Sequence, residues 1–284
     1  MGMKIRFWGV RGSIASPGPA TAGVGGNTTC VEVQCGETRL ILDAGTGLRG
    51  LGDAIMREGR PAEAALLFSH LHWDHIQGLP FFTPIYVPTT RLQIIGQGTP
   101  ELPLKDAIMQ QMRPPTFPVR WEDLPSHVEF RTIAPGRTFR VGEAEVQSAR
   151  LNHPGGGVIA YRIEHEGRSV VFATDTEHYA CVDPTLLRLA KGADVLIYDS
   201  QYTPEEYAGE VGPAKVGWGH STFVAGAELA RAAGVERYFL THHDPARDDA
   251  AVDAIEARAR ALFEGAEAAR EGRVVELAAR ARAA

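Results

Sequence analysis

Apolar residues recur along this chain in short, dense runs separated by turn-forming residues, and most of the runs read as β-strands. Lys4 to Trp8, Thr29 to Gln34, Arg39 to Leu42 and Ala64 to Phe68 predict strands in the first quarter. Arg91 to Ile95, Val128 to Phe130, Thr138 to Val141, Ala144 to Ala149, Val158 to Ile163 and Ser169 to Ala173 continue the pattern. Helical spacing predicts a short helix at Gly50 to Arg57, ending before Gly59, and another at Leu104 to Met112; Pro61 to Ala65 supports a helix only weakly. Between Pro114 and Pro118 three prolines break any regular period. The last third reads as a βαβ unit: strand Val195 to Tyr198, helix Ser221 to Ala233 with Ser221 as N-cap, and strand Tyr238 to Leu240. A long helix, Asp249 to Phe263, and a strand, Val274 to Leu277, follow, and the Ala/Arg-rich end Ala278 to Ala284 predicts fraying.

One hexapeptide carries the chemistry. His70-Leu71-His72-Trp73-Asp74-His75 places three imidazoles and a carboxylate directly after the buried run Ala64 to Phe68. Neutral imidazole and carboxylate suit zinc and its first-row neighbours. Four such groups crowd a single tetrahedral ion, so the spacing suggests two metals sharing the cluster.

This array is characteristic of the metallo-β-lactamase superfamily, which the chain resembles from end to end. The resemblance implies an α/β fold, the four-layer αββα sandwich. Asn152-His153, Ala173-Thr174-Asp175-Thr176 and Leu240-Thr241-His242 match, in order, the family's third metal histidine, its bridging aspartate and its last metal histidine. His70, His72 and His153 would then hold one ion; Asp74, His75 and His242 the other; Asp175 would bridge them. Asp43, in Leu42-Asp43-Ala44-Gly45, would lie beneath the metal loop, hydrogen-bonded to it. The adjacent His243 leaves an alternative to His242 open. The cofactors implied are two divalent ions, zinc foremost, with manganese or iron accepted by the same shell.

Because these residues run from His70 to His242, one fold must gather them, and residues 1–284 are expected to form a single domain with a lid-like segment at about 80–118. A hydrophobic fraction of 44% is ample for a core. No apolar stretch is long enough to span a membrane. Met1 to Val10 lacks the basic-then-apolar order of a signal peptide, so a cytoplasmic protein is expected. Cys30, Cys35 and Cys181 form no CxxC pair and suit a reducing compartment as buried small hydrophobes. The net charge of −6 argues against a nucleic-acid binder that works by neutralising phosphates.

Three further elements resemble the phosphodiesterase branch, which includes tRNase Z. Gly217-Trp218-Gly219-His220-Ser221-Thr222 contains its GHST element, Tyr198-Asp199-Ser200-Gln201-Tyr202 its strand-end carboxylate, and Trp8 to Ser13 with Gly25 to Thr29 its N-terminal turn and strand. The resemblance makes His220 a proton donor oriented by Asp199, with Asp74 in the catalytic centre. Two metals about 3.5–4 Å apart would bind the phosphate and turn a bridging water into hydroxide near neutral pH. In tRNase Z the tRNA-gripping arm lies between the third histidine and the bridging aspartate. Here His153 to Asp175 leaves room for two strands and a turn, so a small, cyclic phosphodiester such as a cyclic nucleotide is expected and tRNA is not. Related phosphodiesterases are commonly dimers, which implies a homodimer.

Phe81, Phe82, Tyr86, Met109, Met112 and Phe117 would give the lid an apolar face for a base or sugar, although core packing also explains such residues. Arg11 and Arg113 are candidates for phosphate contact. His127, His165 and His178 read as surface or loop residues. The main alternative is a thioester or lactone hydrolase of the glyoxalase II or lactonase kind, which has no evident use for His220. A di-iron redox protein of this fold would carry glutamate in place of His72.

Overall fold

The computed structural model describes residues 2–280. Within them two seven-stranded sheets pack face to face. The first contains β1 (Met3–Gly9), β2 (Cys30–Cys35), β3 (Thr38–Leu42), β4 (Glu63–Leu67), β5 (Arg91–Gly96), β6 (His127–Thr132) and β14 (Val274–Leu277), in the order β14-β1-β2-β3-β4-β5-β6. The second contains β7 (Thr138–Val141), β8 (Ala144–Leu151), β9 (Val158–His165), β10 (Arg168–Ala173), β11 (Val195–Asp199), β12 (Arg237–Thr241) and β13 (Ala266–Ala268), in the order β13-β12-β11-β10-β9-β8-β7. Each sheet is antiparallel in one half and parallel in the other: β3 to β6 run parallel, as do β10 to β13.

The core lies between the sheets, where Phe7, Val33, Leu42 and Leu67 meet Ile163, Phe172, Ile197 and Phe239. Helix α1 (Gly47–Arg57) covers the outer face of the first sheet, packing Leu48, Leu51 and Ile55 on Ile41, Leu66 and Ile94, and α3 (Leu104–Gln110) adds Leu104 and Ile108. On the second sheet α4 (Pro184–Ala190), α6 (Phe223–Ala233) and α7 (Asp249–Leu262) bury Leu186, Leu229 and Ile255 against Val171, Leu196 and Tyr238. The result is an αββα sandwich. Strands covered on both faces need apolar residues on both, which is why Ala64 to Phe68 and Val195 to Tyr198 read as unbroken apolar runs. Two short helices, α2 (Trp73–Ile76) and α5 (Pro204–Ala208), lie in the connections.

Several expectations are corrected. The helix after His220 begins at Phe223, capped by Thr222, whose Oγ1 accepts the Ala225 N–H at 3.2 Å. Ser221 is not the cap, because its hydroxyl is engaged by the Tyr198 hydroxyl at 2.9 Å. Residues around Pro61 to Ala65 lead into β4 rather than a helix, and α1 starts three residues early, at Gly47. Helices α4 and α5 and strand β13 were not expected. Each is short, and α4 and α5 are held by side-chain caps at Asp183 and Thr203. Of the expected frayed end, residues 281–284 lie outside the described residues. Its earlier part is tied down, with the Ala278 carbonyl accepting from Arg168 Nε and the Arg280 N–H donating to the Glu166 carbonyl.

Cys30 and Cys35 are buried, and burial pushes the Cys35 thiol up to about 12, whereas Cys181 is exposed. His165 is buried at the end of β9, while His127 is exposed. No helix among the described residues is long and apolar enough to cross a membrane.

Candidate metal centre

The parallel strands of both sheets end at one edge of the sandwich, and the polar residues stand just beyond those ends. Asp43 follows β3, Ser69 and His70 follow β4, Asp175 follows β10, Asp199 ends β11, and His242 follows β12. Carboxyl ends of parallel strands are the usual place for a site in an open α/β sheet, because the side chains that leave there are held by a rigid scaffold. Asp43, Asp175 and His242 all have positive φ, 61°, 54° and 60°. Non-glycine residues held there cost about 1–3 kcal/mol each, and such strain collects where side-chain direction matters.

Two groups of donors converge. His70, His72 and His153 form one, with His153 Nε2 3.1 Å from His72 Nδ1. Asp74, His75, Asp175 and His242 form the other, and all four are buried. In the second group His75 Nε2 lies 3.1 Å from Asp175 Oδ2 and 3.2 Å from Asp74 Oδ2, yet it makes no hydrogen bond. His242 Nε2 lies 3.1 Å from Asp74 Oδ2 and 3.2 Å from Asp175 Oδ1. Asp175 also reaches the first group, its Oδ1 standing 3.8 Å from His70 Nε2 and 3.9 Å from His153 Nε2. His70 Nε2 is likewise buried without a partner. Buried nitrogens left unpaired among carboxylate oxygens are costly unless a cation completes them. The donor set of imidazole and carboxylate suits divalent zinc, manganese or iron.

In His70, His75, His153 and His242 the ring nitrogen facing away is engaged, which fixes those four imidazoles. His75 Nδ1 meets Asp43 Oδ2 at 2.8 Å, and Asp43 also accepts the Ser69 N–H and hydroxyl, both at 2.7 Å. His70 Nδ1 lies 3.1 Å from Ser69 Oγ, His153 Nδ1 2.9 Å from the Gly219 carbonyl, and His242 Nδ1 2.8 Å from Gln201 Oε1. His243 points elsewhere, its Nε2 3.0 Å from the Ala269 carbonyl, and burial holds it neutral, pushed down to about 3.

Electrostatics separate the groups. Burial lowers His70, His72 and His153, keeping them neutral. Burial acts against protonation of His75 too, but the carboxylates of Asp175, Asp74 and Asp43 outweigh it and raise His75 well above its ordinary value. Burial would raise Asp74 and Asp175, but neighbouring imidazoles, His75 and His242 above all, hold both below the ordinary carboxylate range.

His220 stands beside the centre in the turn before α6. Its Nδ1 lies 2.9 Å from Asp199 Oδ2. Burial opposes its charge, but Asp199 prevails and His220 is pushed up to about 9. Asp199 is fully buried and accepts the N–H groups of Asp175, Gln201 and Ser221, so one carboxylate ties together three segments of the site. Asp175, Asp199, His220 and His242 are also close enough to surround an ion. However, His220 Nδ1 and His242 Nδ1 are already occupied by Asp199 and Gln201.

The structure departs from expectation at other polar residues. Arg11 is fully buried, its guanidinium donating to the carbonyls of Gly25, Asp244 and Arg247, so it cannot reach a phosphate. It ties the N-terminal turn to the segment after His242. Arg113 is exposed in the Pro-rich segment. His178 is half-buried, its Nδ1 3.0 Å from Ser221 Oγ. Phe82 and Met112 belong to the core, while Phe81 and Phe117 meet edge to face at 5.7 Å beside the site.

Sequence reasoning assigned no role to Ser13, whose N–H donates to Asp74 Oδ2 at 2.8 Å, to Gln201, or to Glu177. Ser13 and Gln201 lie inside quoted motifs, but nothing local shows which distant group each meets. Gly12 has a reason that the motif alone conceals: a Cβ there would come within 2.3 Å of the His242 ring.

A cavity of about 1060 Å³ opens from His70 and His72 toward Phe81, Phe117 and Gln111.

Comparison with known proteins places this arrangement. The Beta-lactamase superfamily domain matches residues 38–243. The chain is 29% identical over 252 residues to Ribonuclease Z of Mycobacterium sp. (strain KMS), covering 81% of each chain. The fold is similar to that of the metallo-β-lactamase fold protein YhfI from Bacillus subtilis, with a TM-score of 0.73, 21% identity and coverage of 97% of this chain and 100% of that one. It is also similar to a diphosphatase from the PhnP family, with a TM-score of 0.69, 16% identity and 98% coverage of both chains. The chain belongs to the beta-lactamase superfamily and is a metal-dependent hydrolase with the metallo-β-lactamase fold.

Proposed function

We propose that the chain is a dinuclear phosphodiesterase acting on a small, cyclic phosphodiester such as a cyclic nucleotide. His70, His72 and His153 would hold one divalent ion and Asp74, His75 and His242 the other, with Asp175 shared. When bound, such a pair supplies Lewis-acid neutralisation of the phosphate and activation of water near neutral pH. The observation that carries the reading is the His220–Asp199 pair, which lies beside both donor groups without being needed to complete either. Asp199 engages Nδ1 and leaves Nε2 of His220 free to give its proton to the departing oxygen. A thioester releases a thiolate, a far weaker base than an alkoxide, and needs such help less.

The lining of the cavity beside His70 and His72 supports a base-bearing substrate. It has glutamine amides at Gln77, Gln97, Gln110 and Gln111, one arginine, Arg150, and one acid, Glu101. That balance suits an uncharged planar group such as a base more than a polyanion. From His153 to Asp175 the chain forms β9, a turn at Glu166-Gly167, and β10. The relatives named Ribonuclease Z favour one competing substrate, an RNA.

The test is turnover by zinc- and manganese-loaded protein of 2′,3′- and 3′,5′-cyclic nucleotides, an RNA precursor, a thioester and a lactone. Ring opening to one product isomer is expected. Cleavage of RNA alone would replace the substrate, and turnover of the thioester or lactone alone would overturn the class.

A further inference from the structure

Glu177 follows Asp175 by two residues and is buried, although no step of the proposed chemistry uses it. Its carboxylate is fully engaged. Oε1 accepts the Tyr207 hydroxyl at 2.6 Å and the Gly217 N–H at 2.7 Å; Oε2 accepts the Gly219 N–H at 3.0 Å. Gly217 is itself exposed, and the turn it opens lies outside any helix or strand. A carboxylate accepting two backbone N–H groups from alternate residues holds a turn in one shape, because charge-assisted bonds are about twice as strong as neutral ones.

That turn has two consequences. The Gly219 carbonyl meets His153 Nδ1 at 2.9 Å, and the next residue is His220. Gly219 sits at φ +86°, and a Cβ there would come within 2.5 Å of His153 Nδ1, so the backbone is packed directly against that ring. A fixed turn thus sets the His153 tautomer and carries the backbone from which His220 reaches Asp199.

We propose that Glu177 is a positioning residue: its carboxylate clamps the Gly217–Gly219 turn and thereby aims both His153 and His220. The part concerning His220 rests on the phosphodiesterase reading; the clamp itself does not. The substitution that isolates it is Glu177→Gln. Whichever way the amide turns, its NH₂ faces one of the glycine N–H groups, and one clamp bond is lost.

Two measurements test the proposal. The first is amide hydrogen exchange at Gly217 and Gly219 in the zinc-loaded protein. Both should be protected in the parent and exchange faster in Glu177→Gln, with the core strands unchanged. Unprotected glycines in the parent would overturn the proposal even if the variant failed to fold. The second compares a cyclic nucleotide, whose leaving alkoxide needs a proton, with bis(4-nitrophenyl) phosphate, whose nitrophenolate does not. For Glu177→Gln, kcat on the cyclic nucleotide should fall by roughly 10- to 100-fold, the range for lost supporting bonds around a metal site. The nitrophenyl ester should lose less, and KM should stay within about twofold on both substrates. Equal losses on both would refute the aiming of His220. A parent inactive on every phosphodiester would instead sink the functional reading, and exchange at the two glycines would still decide the clamp.

Discussion

The two groups of donors at the centre both lie within 4 Å of Asp175 but differ in almost every other respect. Asp74, His75 and His242 lie within the protein with Asp175, and two carboxylates give that position a negative charge. His70, His72 and His153 contribute imidazoles alone, and His72 is exposed at the mouth of the cavity beside Trp73, itself 79% exposed. One position is buried and anionic; the other is open and neutral apart from the shared carboxylate. The contrast suggests a division of labour. On the proposed dinuclear reading, the deep position would retain its ion and the open one would meet the substrate, because the cavity meets the site on its side.

Removing what the two positions share should have the largest effect. Asp175→Ala is expected to lower both the metal content and kcat, beyond the ~10²–10⁴-fold expected for loss of a proton donor. Elemental analysis and turnover on one sample check this, and a variant that keeps two ions and most of its activity would refute the sharing. His220→Ala should come next, losing ~10²–10⁴-fold in kcat on an alkoxide-leaving substrate while keeping its metal.

Asp43→Asn removes the carboxylate behind His75 and should weaken metal binding by ~10–100-fold. The loss should be larger at the buried position than at the open one, which Asp43 supports only through Ser69 and His70. Chelator titration of the parent sharpens the comparison further, since the ion held by His70, His72 and His153 should leave first. Simultaneous release of both ions would show that the difference in burial does not govern retention. The smallest effect is expected from Phe81→Ala, a side chain 59% exposed. Stability should change by no more than about 0.5 kcal/mol, as for most surface substitutions. KM for a base-bearing substrate should rise if the cavity takes the base.

Much of this was legible in the residues. The runs at β4, β10 and β12 are apolar enough to be read as buried strands, and each ends in the residues that enter the site. What escaped reading shares one property. Arg11, Ser13, Gln201 and Glu177 act through partners far away in the chain, or through backbone groups that any residue carries. Arg11 looked like a free cation because arginine seldom lies wholly buried. Only the fold surrounds it with three carbonyl oxygens. Ser221 looked like a cap because the hydroxyl alone does not show which of two adjacent residues turns toward the helix.

The sequence by itself determined the identities and spacing of the donors, the alternation that forms the sheets and the family to which the chain belongs. These are properties of residue type and order, and they need no knowledge of what lies opposite. Tertiary structure decided which of His242 and His243 faces the centre, which nitrogen of each imidazole is left free, and which position is deep. Those outcomes depend on the two strand-end edges meeting across the sandwich, where a rotation of one ring or one peptide exchanges a buried partner for another.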